Sequence, residues 1–485
     1  MSQLSIKKNF AYKSILTLST YLINFITFPY VARVLGVERI GLVNFVDNTV
    51  NYFLLFATMG VGLLGVREIA AVKEDKKRRD QVYSNVLALN LLFTLVSLGI
   101  YLLCVVTIPK LCQYDELFYI GTAKILFTVF LVEWFFTGVE NFRYITLRSI
   151  LIKVLYIISV FLFVRDTSDY RLYFVLTVGV VMLNALINQL YIRRFVRIRW
   201  RDIQLFKYLK QNVTLGIYTL MTSMYLTFNV MYLGLVSNNT EVGYYTTAFK
   251  LYSVVLGFFT AFTNVMLPRM SSLLANGEKD RFQELVNRSF SMMATCCIPL
   301  ILCSMILAPQ IIYILSGPGY EGAILPMRII MPAAFAVGMA QVLAIQVLMP
   351  MKKDKVLLVA SIIGAVVSLT INLTLVSYLK SIGTAVVLVG SEMIVTVVYI
   401  FYVLRYKIVC FSTSFMYKSL LCSLPSSIIC LFCSYYIESL VLSFFIAFIF
   451  ALISWIILYS MFFKPSLKWN ISVSYTHLRA HETRS

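Results

Sequence analysis

Residues 41–85 read GLVNFVDNTVNYFLLFATMGVGLLGVREIAAVKEDKKRRDQVYSN. The stretch is an apolar run through Gly65, then a loop carrying Arg67, Lys73, Lys76, Lys77, Arg78 and Arg79, then the start of another apolar run. An apolar run of about 18 residues or more is long enough to cross a hydrocarbon core about 30 Å thick. A Lys/Arg-rich loop between two such runs marks the cytoplasmic side. The same phrase recurs 202 residues later: Gly41 aligns with Gly243, Arg67 with Arg269, Lys77 with Lys279, Arg79 with Arg281, Gln81 with Gln283 and Asn85 with Asn287.

Working outward, fourteen runs of this kind are found, at 12–32, 41–65, 83–108, 118–139, 145–164, 172–192, 213–236, 244–267, 289–316, 326–349, 356–378, 383–404, 415–436 and 440–463. With the N-terminus inside, the outer loops hold only Arg33, Arg39, Lys110, Arg165, Arg171, Arg328 and Lys380, and the remaining loop cations fall inside. One miscounted run would invert this alternation, yet it persists to the end, so both termini are expected in the cytoplasm. Six runs separate the repeat partners. Six is even, so the halves are parallel repeats about an axis along the membrane normal. The expected fold is an all-α polytopic membrane protein of about fourteen transmembrane helices. It divides into two six-helix lobes (1–210 and 211–410), with helices 13 and 14 appended (411–472).

Composition agrees. The 485 residues are 60% hydrophobic and only 13% charged, with mean hydropathy +0.84, against about 25% charged in soluble domains. The net charge of +20 does not point to nucleic acid, because the cations sit in short loops rather than on one basic face. The two histidines, His477 and His481, lie in the polar stretch 473–485, which reads as a non-native tail. Histidine triads, zinc hydrolysis and haem ligation are thereby excluded, and no cofactor or metal site is indicated. Most cysteines fall inside apolar runs, including Cys430 and Cys433, and behave as small hydrophobes. The first run is longer than a signal-peptide core and lacks a cleavage site, so it reads as a retained span.

An ionisable side chain at the centre of a span costs about 2.5–3.5 kcal/mol and is a functional candidate by default. Such residues are Asp47, Lys124, Glu133, Arg148, Lys153, Lys250 and Glu392. Lys124 and Lys250 are expected to line a wet cavity. Arg148 and Lys153 either do the same or snorkel to the surface. Asp47, Glu133 and Glu392 are either counter-ions or proton or sodium sites. Glu140 and Arg143 are spaced as a helix-end pair. A cavity rich in Lys and Arg suits phosphate oxygens, so an anionic substrate such as a pyrophosphate is expected.

Three blocks carry a resemblance. The first is Phe28–Gly41 (FPYVARVLGVERIG) with Tyr52 and Gly65–Ala70 (GVREIA). The second is Glu241–Lys250 (EVGYYTTAFK) with Leu267-Pro268-Arg269, and the third is Gly319-Tyr320 with Gln346, Pro350, Gly364 and Asn372. Together they resemble the bacterial polysaccharide repeat-unit flippases of the multidrug/oligosaccharidyl-lipid/polysaccharide exporter superfamily. The resemblance implies a transporter rather than an enzyme. It would move a polyprenyl-pyrophosphate-linked oligosaccharide, for O antigen, capsule or other exopolysaccharide, from the inner to the outer leaflet of the plasma membrane. Alternating access and an ion gradient are implied, as are membrane lipids, a polysaccharide polymerase and other assembly proteins as partners. Arg33 and Lys250 carry over as substrate-binding residues by motif position; Lys124, Arg148 and Lys153 rest on charge alone. The alternatives are a multidrug efflux antiporter or a peptidoglycan-precursor flippase, which carry charged residues in the first helix that run 12–32 lacks apart from Lys13. A membrane-embedded glycosyltransferase would need a large outer loop, and none is present.

Overall fold

The computed structural model describes residues 6–199, 203–409 and 414–463, so the tail read at 473–485 lies outside the described residues. Among the described residues there is no strand. In lipid the backbone must satisfy its own polar groups, and a chain this apolar does so as helix. The first half contains α1 (Ile6–Ala57), α2 (Val61–Ala71), α3 (Lys76–Thr107), α4 (Pro109–Cys112), α5 (Asp115–Thr128), α6 (Glu133–Gly138), α7 (Phe142–Phe163) and α8 (Tyr170–Ile192). The second contains α9 (Leu205–Val236), α10 (Asn239–Ala275), α11 (Lys279–Ile306), α12 (Ala308–Ser316), α13 (Ile324–Ile330), α14 (Ala333–Gln341), α15 (Asp354–Ile371) and α16 (Ser377–Arg405). Two more, α17 (Ser414–Tyr436) and α18 (Leu440–Phe463), pack on each other and against α11 and α12.

Each predicted run falls on helix, but the breaks differ from those expected. The runs at 12–32 and 41–65 meet end to end at Gly36 (φ 73°, ψ 169°), where the backbone leaves helical geometry, and the second of them is interrupted again before Val61. The runs at 356–378 and 383–404 are separated only by Lys380 (φ 50°, ψ −121°). The run at 118–139 is cut by a 3-10 turn at Val129–Leu131 and a left-handed Val132 (φ 41°, ψ 32°). Helix α9 starts at Leu205, so a lobe boundary at 210 would fall within it. The apolar run begins only at 213 because Lys207, Lys210, Gln211 and Asn212 fall in the first turns of α9. Among the described residues, ten helices are long and apolar enough to cross a membrane, eleven if the pair Glu321–Ile330 and Ala333–Leu348, bent by 41°, is one crossing. Leucines, isoleucines and phenylalanines cover the outside of the bundle, among them Leu103, Leu151 and Phe432. Such a surface belongs in lipid. This is a multi-pass membrane protein.

The repeat is visible in space as well as in sequence. Where α1 crosses α10, Asn44 donates to Thr246 Oγ1 at 3.0 Å, its own counterpart at the 202-residue offset. A residue meets its repeat partner only at the symmetry axis. The glycines confirm the axis by reciprocity. A Cβ at Gly41 would lie 1.7 Å from the Asn239 carbonyl oxygen, and one at Gly243 would lie 2.3 Å from that of Val37. Val37 and Asn239 are themselves 202 apart, so the contact is isologous. The chain between α8 and α9 is pinned along α3: the amides of Arg197, Arg199 and Gln204 donate to Asp80 (3.1 Å), Ser84 (2.8 Å) and Asn85 (2.5 Å).

Candidate functional site

The part of α1 beyond Gly36 carries Asn44, Asp47, Asn48 and Asn51, spaced by three and four so that they share one helix face. Asp47 is satisfied on both oxygens: Lys124 of α5 donates to Oδ1 at 2.6 Å and Asn51 to Oδ2 at 3.0 Å. Lys124 is buried and Asp47 mostly so. The two predicted intramembrane charges thus find each other, and Asp47 is not the partner of Lys250.

A second network grows from the break at Val132. Breaking a helix leaves carbonyls without intrahelical partners. Here α8 supplies them: Asn188 donates to the Leu131 carbonyl and Gln189 to that of Phe130 at 3.1 Å. Asn188 also accepts from Tyr144 Oη at 2.9 Å and from Arg148. The buried Arg148 guanidinium reaches Glu133 at 2.6 Å and Ser149 at 3.1 Å. Arg148 is therefore committed inside the first half rather than snorkelling. Lys153, one turn on, donates to Ser19 (3.1 Å) and Thr20 (2.6 Å) of α1. Glu140 pairs with Lys73 at 3.5 Å, not with Arg143, because it sits in a left-handed turn after α6 that faces the loop after α2.

Arg33 is exposed and donates to the Ile314 carbonyl at the end of α12, while Tyr320 donates to the Ala32 carbonyl at 2.9 Å. The end of the first α1 segment is thereby tied to the second half. Lys250 differs from the other cations. Its ammonium lies 4.2 Å from the centre of the Phe28 ring, with no carboxylate within 4 Å among the described residues. It lines a cavity of about 40 Å³ with Phe25, Phe28, Pro29, Ser253 and Leu315. Among the three acids, Glu392 of α16 is buried and has no ion pair among the described residues.

Charge counting missed the amides. Asn44, Asn48 and Asn51 flank Asp47 at helical spacing, a signal present in the sequence. Asn188 carried no such signal, nor did Asn229, which accepts from Ser368 (3.1 Å) and Asn372 (2.7 Å).

The family model described as polysaccharide biosynthesis protein matches residues 6–274, and a second, MatE, matches 215–374. A protein of Escherichia coli (strain K12) named "Putative O-antigen transporter" is 25% identical over 414 residues, spanning 84% of this chain and 99% of the relative. One of the same name from Shigella dysenteriae is 23% identical over 397 residues, 80% and 98% of the two chains. Among solved structures, the lipid II flippase MurJ in an inward closed conformation aligns with TM-score 0.76 at 15% identity, covering 94% of this chain and 99% of MurJ. An inward-facing multidrug resistance MATE family transporter aligns with TM-score 0.58 at 14% identity, covering 81% and 98%.

Proposed function

The chain belongs to the polysaccharide biosynthesis protein family, and from that premise we propose that it is a flippase for a polyprenyl-pyrophosphate-linked oligosaccharide repeat unit, carrying it from the inner to the outer leaflet of the plasma membrane. The names of the two bacterial relatives and the fold shared with a lipid II flippase support the reading. The observation that carries it is Lys250, an intramembrane ammonium with an aromatic face and, among the described residues, no carboxylate within 4 Å. A cation in that state gains most from an arriving anion, and hydrogen bonds to charged groups contribute about 1.5–3 kcal/mol each. Lys124 and Arg148 hold acids already and would supply positive field, exchanging partners when pyrophosphate enters. Lys153 and Arg33 sit where the first α1 segment meets α7 and α12, and both remain candidates for the headgroup's route.

The proposal includes fourteen crossings with both termini cytoplasmic, which the loop cations support, and two lobes joined by the pinned stretch before α9. The second-lobe boundary near 410 and the appended unit 411–472 belong to the same proposal. Separation and closure of the lobes at the Gly41–Gly243 crossing would expose the cleft to each side in turn. Asp47 and Glu133 serve as counter-ions, which leaves Glu392 as the carboxylate for proton or sodium coupling. Polymerase and other assembly proteins are the expected partners on the outer face.

The test is Lys250→Ala in cells making the repeat unit. Lipid-linked units should accumulate on the inner leaflet at normal protein abundance, with export down about 10- to 100-fold, and Lys250→Arg should keep part of the activity. Full export by Lys250→Ala would refute the assignment.

A further inference from the structure

At the end of the bundle where the first α1 segment stops, the two halves cap each other's helices. Ala32 lies in the last turn before the break at Gly36, and Ile314 in the last turn of α12. Terminal turns leave carbonyls without intrahelical partners. Each of these two is covered from the opposite half. The Tyr320 hydroxyl donates to the Ala32 carbonyl at 2.9 Å, and the Arg33 guanidinium donates to that of Ile314. Arg33 also places its charge at the negative end of the α12 dipole. Gly317 leaves room for it, since a Cβ there would come within 3.1 Å of Arg33 Cγ. The segment that carries Tyr320 turns on Gly317 and Gly319, at φ 82° and 87°, where glycine moves freely and other residues do not. Beside these caps, Asn239 at the start of α10 donates to Tyr114 Oη, just ahead of α5, at 2.8 Å. Ala32 and Tyr320 are 0% and 1% exposed, whereas Arg33 is exposed.

The caps are reciprocal and few. A hydrogen bond that water can replace contributes little net stability, and an exposed guanidinium can exchange a carbonyl for water. Contacts of this kind hold an end shut without making the closure permanent. The opposite end of the bundle has a tie of its own, Asn212 of α9 donating to the Met59 carbonyl at 2.6 Å. Releasing one end therefore leaves the other fastened. We propose that Arg33, Gly317 and Tyr320 form a latch that keeps the two lobes closed at the Ala32 end. This end opens when both caps break while the Asn212 tie holds, and one-sided opening is what alternating access requires. The latch rests on the flippase reading for its purpose, though not for its opening.

The test uses the full chain purified in detergent, with the exposed Cys112 and Cys296 replaced by Ser and Ala32→Cys as reporter. Reaction with a maleimide carrying polyethylene glycol is followed by gel shift, against the same background without the reporter. With both caps intact the reporter should react slowly. Tyr320→Phe, which removes one hydroxyl, should raise the rate about 3- to 10-fold, and Arg33→Met about 10-fold or more. A separate reporter, Ala57→Cys, stands at a buried position two residues before Met59 and should stay slow in both variants. Unchanged Ala32→Cys reactivity in both variants overturns the latch, because the caps then do not close this end. An equal rise at Ala57→Cys also overturns it, because the fold has then loosened as a whole. If the parent chain restores no export of lipid-linked units while loss of the caps still exposes Ala32→Cys alone, the flippase reading fails and the latch stands.

Discussion

At the residue scale the governing fact is the cost of charge away from water. Removing one member of a buried pair strands the other, whereas removing both can be nearly neutral. Lys124→Ala should therefore lower thermal stability in detergent by several degrees, and Lys124→Ala with Asp47→Asn should recover most of the loss. A double variant no more stable than the single one would mean the 2.6 Å contact contributes nothing. The same logic separates the acids by function. Glu392→Gln should abolish gradient-driven transport while substrate still exchanges across liposomes without a gradient. Asp47→Asn should impair folding more than coupling. Gradient dependence retained by Glu392→Gln removes that residue from the coupling role.

At the scale of elements, two glycines on α1 act for different reasons. Gly36 has φ 73° and ψ 169°, a region essentially confined to glycine, yet the space around it is open. Gly36→Ala should cost about 1–3 kcal/mol through backbone strain alone. Gly41 is ordinary helix, but α10 passes so close that no Cβ fits. Gly41→Ala must push the two helices apart, so it should disturb the Asn44–Thr246 contact as well as stability. Thermal shifts on both variants, with cross-linking at 44 and 246, distinguish the effects. Equal cross-linking in Gly41→Ala and in the parent would show that the crossing tolerates a methyl group. The break at Val132 follows a related rule, since it is tolerated because Asn188 and Gln189 cover the freed carbonyls.

For the whole molecule, the isologous crossing of α1 and α10 is where alternating access can be stopped. Cysteines at Asn44 and Thr246, oxidised to a disulfide, should halt export, and reductant should restore it. Full export by fully cross-linked protein would exclude separation of the lobes at this crossing. Orientation is checked by impermeant thiol reagents in a background lacking the exposed Cys112 and Cys296. A cysteine at Ser168 should label in intact cells and one at Lys77 should not; the reverse pattern inverts the topology.

The sequence by itself determined the class of protein, the helical runs, the loop asymmetry and the repeat. All of these follow from local composition and period, and a hydrocarbon solvent leaves one backbone solution for an apolar chain. The 202-residue offset was legible because both copies keep glycine where the helices touch. Charge counting also picked out Asp47, Lys124, Glu133 and Arg148. Only the tertiary structure decided who pairs with whom: Lys124 with Asp47, Arg148 with Glu133, Glu140 with Lys73, and Lys250 with an aromatic ring. Pairing depends on which helix faces meet, and a run that is apolar all round does not say which way it faces.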